Sequence, residues 1–325
     1  MSGRRAAWAK CALAGDHHGQ NDAMPAFWPV IVADDWSIAG LENQGQHPHD
    51  WLKHPARERT WLFKPARVER NRSLGEDVVE KLGSEFARLI GIPAAPVELA
   101  NRNGVRGALI EDVRLPDWEL QAGQALMPEV MPNYDPSDPE QRGHNVEAIR
   151  EALKRFTAPP ASGMPAGFGA FDVFAGYLVF DALIAHGDRH DRNWAVLVPP
   201  PGTLDSEALC ASFDHAASLG FTLSEAARAE HLRRGTVRDW ALRGYARRFE
   251  HRQGSRWQTL VDIAGSAVGL CRERTRTYWV ERVVAVDAHS VAEVVAAAPG
   301  MSEVTYRFTI ELIMVNRKRL LDVLR

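Results

Sequence analysis

Hydrophobic positions change their period along the chain, and the change separates two regions. Between Phe27 and about Val113, short strand-like runs surround one helical pattern. Thr60-Trp61-Leu62-Phe63-Lys64 reads as a strand that Pro65 cuts off. Gly75 to Ile90 carries Val78, Leu82, Phe86 and Leu89 at three- and four-residue steps, which predicts a helix ended by Gly91 and Pro93. Ala95 to Ala100 and Gly107 to Val113 read as a strand pair turned by Asn101-Arg102-Asn103-Gly104. Beyond Arg114 helices and long loops take over. Met127 to Gly143, with Pro128, Pro132, Pro136 and Pro139, reads as a linker into a helix at about Asn145 to Phe156. Phe171 to Ala185 is a nearly continuous apolar run and predicts a buried helix. Ala195 to Val198 and Leu209 to Phe213 read as short strands joined by Pro199-Pro200-Pro201-Gly202. From Thr222-Leu223-Ser224-Glu225, a capping-box pattern, amphipathic helices continue to Leu324. The prediction is an α+β chain with a flexible tail at 1–26, a small β-rich N-lobe at 27–114 and a larger helical C-lobe at 115–325.

Composition narrows the function classes. The 325 residues are 45% hydrophobic and 25% charged, enough to bury a large core. A net charge of −3 offers no broad basic surface, so affinity for nucleic acid is not predicted. Phe171 to Ala185 contains Asp172 and Asp181 and is too short for a membrane span, so no membrane association is expected. Cys11, Cys210 and Cys271 are few and widely spaced, which argues against a disulfide framework and for a reducing, cytoplasmic setting.

The chemistry-bearing residues concentrate in His186 to Trp194, HGDRHDRNW. Asp188-x-x-x-x-Asn193 places a carboxylate five residues ahead of an amide on one predicted loop. Phosphoryl transfer from ATP needs such a pair: a base within reach of the acceptor hydroxyl, and an amide oxygen that helps to hold Mg2+ on the phosphates. A second metal carboxylate, Asp214, follows the predicted strand pair, and Lys64 ends an upstream strand from which its charge can meet the α and β phosphates. Asp and Asn also populate ordinary polar turns, but four matching groups are harder to assign to turn chemistry. The glutamate that would hold Lys64 is either Glu80 or Glu85. The helical wheel puts Glu85 beside Val78, Leu82 and Leu89, and Glu80 on roughly the opposite face. Adenine would be met at the end of the strand at Glu111 to Val113. A phosphate cradle is sought in Asp35 to Trp51, which contains Gly40 and Gly45 but no G-x-G-x-x-G motif. His186 and His190 stand four apart and would suit a zinc hydrolase on a helix, but Gly187 and the turn-forming residues around it favour a loop.

At these residues the chain resembles the HipA-type bacterial protein kinases, from about Trp61 to the C-terminus. FDVFAGYLVFDALIAHGDRHDRNWAVL is similar to their buried helix and catalytic loop, SFDHAASLG to their metal-binding segment, and ARLIGIPAAPVELA to their regulatory helix and following strand. The resemblance implies a bilobed protein-kinase-like fold and an ATP- and Mg2+-dependent serine/threonine kinase. It implies that Asp188 is the catalytic base, that Asn193 and Asp214 bind magnesium, that Lys64 binds the phosphates and that Glu80 is its partner. A protein substrate and an antitoxin-like regulator are the implied partners. His215-Ala216 stand where eukaryotic kinases carry Phe-Gly. Only about 60 residues precede Lys64, so the separate N-terminal subdomain of full-length toxin kinases is not expected. The competing readings are a small-molecule kinase of the aminoglycoside or choline type and a nucleotide-binding pseudokinase acting as an interaction module.

Overall fold

The computed structural model describes residues 27–42, 49–56, 58–69, 72–73, 75–252, 254 and 257–325. The expected tail at 1–26 and Gly45 of the candidate cradle lie outside them. The described chain starts with strands β1 (Val30–Val32), β2 (Ser37–Glu42), β3 (His49–Lys53), β4 (Thr60–Pro65), β5 (Val68–Glu69) and β6 (Arg72–Ser73). Helix α1 (Glu76–Ile90) follows, then β7 (Val97–Arg102), β8 (Val105–Glu111) and β9 (Glu119–Ala122). Helices α2 (Gly123–Val130), α3 (Val146–Ala152) and α4 (Ala170–Ile184) lead to β10 (Ala195–Val198) and β11 (Ala208–Leu209). The chain closes with α5 (Glu225–Arg234), α6 (Val237–Ala241), α7 (Leu260–Gly269), α8 (Glu273–Ala285), α9 (Ala288–Ala296) and α10 (Glu303–Leu324). A sheet-rich N-terminal region thus precedes a helical C-terminal region, as the change of period predicts.

Six strands form one sheet in the order β1-β7-β8-β4-β3-β2, antiparallel except for the β1–β7 pair. The β7–β8 hairpin turns on Asn103 (φ 51°) and Gly104 (φ 79°), two adjacent left-handed residues that match the strand twist. Alternation along β4 sends Trp61 and Phe63 to one face, into a cluster with Trp36, Leu52 and Leu109. Leu62 points to the other face, with Val97, Ala108 and Ile110. Val113 and Phe213 pack against this second cluster and also against that of Ala195, Leu197 and Cys210, so they bridge the large sheet and the three-stranded sheet β11-β10-β9.

The largest core surrounds α4, of whose residues only Asp172 is not buried. Helices α7 and α10 pack on α4. An all-round apolar helix must be covered on every side, which fits the sequence pattern of this segment.

Several boundaries differ from expectation. Met127–Val130 are helical, not linker, because burial of Leu126 and Met127 outweighs the backbone hydrogen bond that Pro128 removes. Helix α3 is shorter than 145–156 and is capped by Asn145, whose side chain accepts from the Ala148 amide. Helix α5 is capped by Ser224, which accepts from Ala227, and not by Thr222. The expected strand 209–213 is reduced to β11, and Ser212 instead makes a bridge to Ala94. Strand β9 has no clear sequence signature, and its register is provided by β10.

Candidate functional site

Lys64 follows Leu62 by two residues and therefore leaves β4 on the face that Phe213 covers. Its Nζ donates to Asp214 Oδ1 at 2.9 Å, across 150 residues of sequence. The Lys64 ammonium holds the Asp214 carboxyl well below the usual carboxylate range, against the opposing effect of burial. Asp214 has φ 63°, a left-handed conformation that Asp tolerates better than most residues. No hydrogen bond among the described residues occupies its second carboxylate oxygen.

Glu80 reaches the same segment from α1. It is 2% exposed, and its two oxygens accept from the amides of His215 (2.9 Å) and Ala216 (2.8 Å). Burial pushes the Glu80 carboxyl up to about 7, against the opposing pull of Lys64 and of these two amides. Close approach of α1 requires Gly83, where a Cβ would lie 2.5 Å from His215 Cβ. Glu85 turns elsewhere, to Lys81 at 2.9 Å and Arg88 at 2.9 Å. The wheel argument for Glu85 fails because the buried arc of α1 is centred on Val79, Gly83, Phe86 and Ile90, while Val78 and Leu89 are only half-buried. Glu80 lies on one flank of that arc and Glu85 on the other.

The loop after α4 holds Asp188 and Asn193 together. Asn193 Nδ2 donates to the Asp188 carbonyl at 2.8 Å, which leaves the amide oxygen of Asn193 as an acceptor. Arg189 points inward and is 1% exposed. It donates to both oxygens of Asp181 (2.8 and 2.7 Å), to the Asn193 carbonyl (2.7 Å) and to Ser212 Oγ (3.0 Å). One guanidinium therefore ties α4, the catalytic-type loop and the approach to Asp214. The carboxylate partner of Arg189 is Asp181, in the last turn of α4, and not a carboxylate of its own loop. Ser212 Oγ, which accepts from Arg189, donates a hydrogen bond to His215 Nε2 at 2.8 Å, and burial and Arg189 disfavour the charged form of His215. His186 is fully buried with its ring edge-on to His215, and burial lowers its pKa. Among the described residues no group of three or more His, Cys, Asp or Glu forms a metal cluster.

Sequence spacing missed the groups that hold this loop from outside. Arg248 donates through Nε to Asp188 Oδ1 at 2.7 Å. His144, fully buried, accepts from Trp194 Nε1 at 3.2 Å and donates through Nδ1 to the Arg248 carbonyl at 2.5 Å. Burial depresses His144 to about 4, consistent with this neutral tautomer. Tyr134 donates to Asp191 at 2.8 Å on the loop's other side. Only the run of buried-type residues around Trp194 could have hinted at such bracing; the partners lie 50 and more residues away.

At the proposed adenine position, the Glu111 amide donates to the Pro96 carbonyl (2.9 Å) and that of Asp112 to the Thr60 carbonyl (3.0 Å). The Glu111 carboxylate lies 3.4 Å from Arg59. Val113 follows at the junction of the two sheets. The candidate cradle is the β2–β3 hairpin at the sheet edge, next to β4; its connecting residues 43–48 lie outside the described residues. Among the described residues no helix is long and apolar enough to cross a membrane.

No protein-family model matches the chain, and no curated protein matches it by sequence. Its fold is similar to that of the Helicobacter pylori proinflammatory kinase CtkA, with a TM-score of 0.64 and 14% identity over 91% of this chain and 97% of that one. HipA of Shewanella oneidensis MR-1, solved with HipB and operator DNA, aligns at a TM-score of 0.49 and 12% identity over 89% of this chain and 65% of that one. The likeness to CtkA bears out the kinase-like α+β fold expected from the sequence.

Proposed function

We propose that the chain is an ATP- and Mg2+-dependent phosphotransferase that passes the γ-phosphoryl group to a serine or threonine hydroxyl of a protein. The observation that carries this reading is the Lys64–Asp214 contact at 2.9 Å, with Glu80 on the two amides that follow Asp214 and the Asp188–Asn193 loop tied to the same segment through Arg189. Side chains of the types that an in-line transfer needs, an ammonium, carboxylates and an amide oxygen, come from separate elements that these contacts link, which supports the reading.

In this reading residues 27–114 form the nucleotide-binding lobe and 115–325 the lobe that supplies Asp188 and Asn193. Lys64, with three donors on one ammonium, meets the α and β phosphates. Glu80 supports it from the amides of the Asp214 segment, and adenine lies against Glu111 to Val113. Asp188 accepts the proton of the acceptor hydroxyl as its oxygen bonds to the γ-phosphorus and the bond to ADP breaks. The amide oxygen of Asn193 and the carboxylate of Asp214 suit a hard cation, which takes few protein oxygens and completes its shell on phosphate. Mg2+ bound there would neutralise phosphate charge. An antitoxin-like regulator belongs to this reading as a partner, in a cytoplasmic setting.

A second reading, a small-molecule kinase of the aminoglycoside or choline type, is favoured by one feature. A cavity of about 550 Å³, lined by Tyr134, Asp135, Ser137, Asp138 and Arg142, adjoins the loop after α4 through the Tyr134–Asp191 bond, and Asp135 is its carboxylate not paired with Arg142.

Intact-mass spectrometry after incubation with ATP and Mg2+, alone and with cell extract, tests the proposal beside Asp188→Asn. Phosphate gained on protein by wild type only is the expected result. ATP consumed with a metabolite fraction but no protein modified moves the acceptor to a small molecule. Equal turnover by Asp188→Asn refutes the assignment of the base.

A further inference from the structure

The cation nearest to Asp188 comes from outside its loop. Arg189, the adjacent residue, is consumed in the interior by Asp181. Arg248 takes its place from a segment 60 residues downstream, and only its Nε is engaged, with Asp188 Oδ1. Among the described residues its two terminal amino groups have no partner, and its side chain is 47% exposed. The guanidinium is therefore half-docked.

The backbone that carries Arg248 is held firmly although the side chain tip is not. The Arg248 carbonyl accepts from buried His144, the Glu250 amide donates to the His144 carbonyl, and the His251 amide donates to the Glu140 carbonyl. Glu250 Oε2 accepts from the Gly143 amide and from Asn145 Nδ2. The His144 ring lies between Phe249 and Trp194. Trp194 directly follows Asn193, whose side chain binds the Asp188 carbonyl. The contacts close a ring: Asp188, Arg248, His144, Trp194, Asn193 and back to Asp188. A half-exposed ion pair alone would add little stability, so firm anchoring of its backbone on both sides calls for a reason other than folding.

We propose that Arg248 is a catalytic residue of the transfer: it orients the Asp188 carboxylate through Nε and presents its terminal amino groups to the phosphoryl group in flight. This rests on the phosphotransferase reading. An acceptor oxygen within hydrogen-bond reach of Asp188 and in line with the γ-phosphorus places the phosphoryl oxygens within a few ångströms of any group already touching Asp188. A guanidinium fork matches two phosphoryl oxygens, and charge at that point stabilises the transition state more than the bound nucleotide. His144 acts through Arg248 by setting the height of its backbone.

The test compares wild type with Arg248→Ala, Arg248→Lys, Asp188→Asn and the neighbouring charge control Arg247→Ala, by ADP release and intact mass with ATP and Mg2+ and by nucleotide affinity. Arg248→Ala is expected to lose about 100-fold in kcat, with nucleotide affinity within roughly threefold of wild type. Added guanidinium ion is expected to restore part of the loss, Arg248→Lys to retain an intermediate rate, and Arg247→Ala to match wild type. A residue with only a structural role would lower the melting temperature and would not be rescued by guanidinium. Higher turnover in Arg248→Ala would make the contact an inhibitory clamp and overturn the proposal, as would unchanged turnover beside an inactive Asp188→Asn. Should wild type fail to transfer or Asp188→Asn match it, the phosphotransferase reading falls and this proposal with it.

Discussion

Replacing Asp181 by Asn keeps the shape of the side chain and removes one charge from a fully buried arginine–carboxylate pair. Asp181 and Arg189 are 2% and 1% exposed, and they meet through two bonds of 2.8 and 2.7 Å. Once the carboxylate is gone the guanidinium stays in the interior without a counter-charge, a loss of about 3–5 kcal/mol. Unfolding entropy for 325 residues is about 0.7 kcal/mol/K, so the melting temperature should fall by about 4–7 °C. Differential scanning calorimetry measures this directly. The double variant Asp181→Leu with Arg189→Met removes both charges and should regain most of the lost stability, because an apolar pair of similar volume avoids desolvating two ions. Its turnover should nevertheless stay low, since the Asn193 carbonyl and the Ser212 hydroxyl both lose the donor they share. A shift below about 1 °C in the single variant would show that the pair is not desolvated. Full activity in the stable double variant would show that Arg189 folds the loop but does not position it.

Glu80, with its carboxyl at about 7, should give wild type a rate that climbs as pH rises through 7, since only the carboxylate can accept from both amides and support Lys64. The sign for stability is opposite: a folded pKa raised above the unfolded value makes this group cost stability as pH rises from about 4.5 through 7. Glu80→Gln should remove both dependences, and pH profiles of turnover and melting that keep the wild-type shape would refute the assignment. Gly83→Ala should drive α1 and His215 apart, costing about 1–3 kcal/mol and lowering turnover. Wild-type melting and activity in that variant would mean that the contact of α1 with the Asp214 segment is not required.

Much of the fold was legible because local rules and the final packing agree. Strand β4 carries aromatic and β-favouring residues up to a proline, the β7–β8 turn needs the left-handed freedom that Asn103-Gly104 supplies, and α4 is apolar on every side. The site was legible in part, because Asp188 and Asn193 are spaced for one loop and Asp214 follows a short strand. The choice between Glu80 and Glu85 was not, since a wheel ranks faces by hydrophobicity while the neighbour of each face is decided by distant chain.

By itself the sequence determined the order of elements, the period of each, and which residue types stand on the loop after α4. Those properties depend on residues a few positions apart. Tertiary structure alone decided that Lys64 meets Asp214 across 150 residues, that Arg189 turns inward to Asp181, and that Arg248, braced by His144, takes the outer side of Asp188. Ion pairing and desolvation act at contact range regardless of sequence separation, so those partners were chosen only once the helical core had brought the segments together.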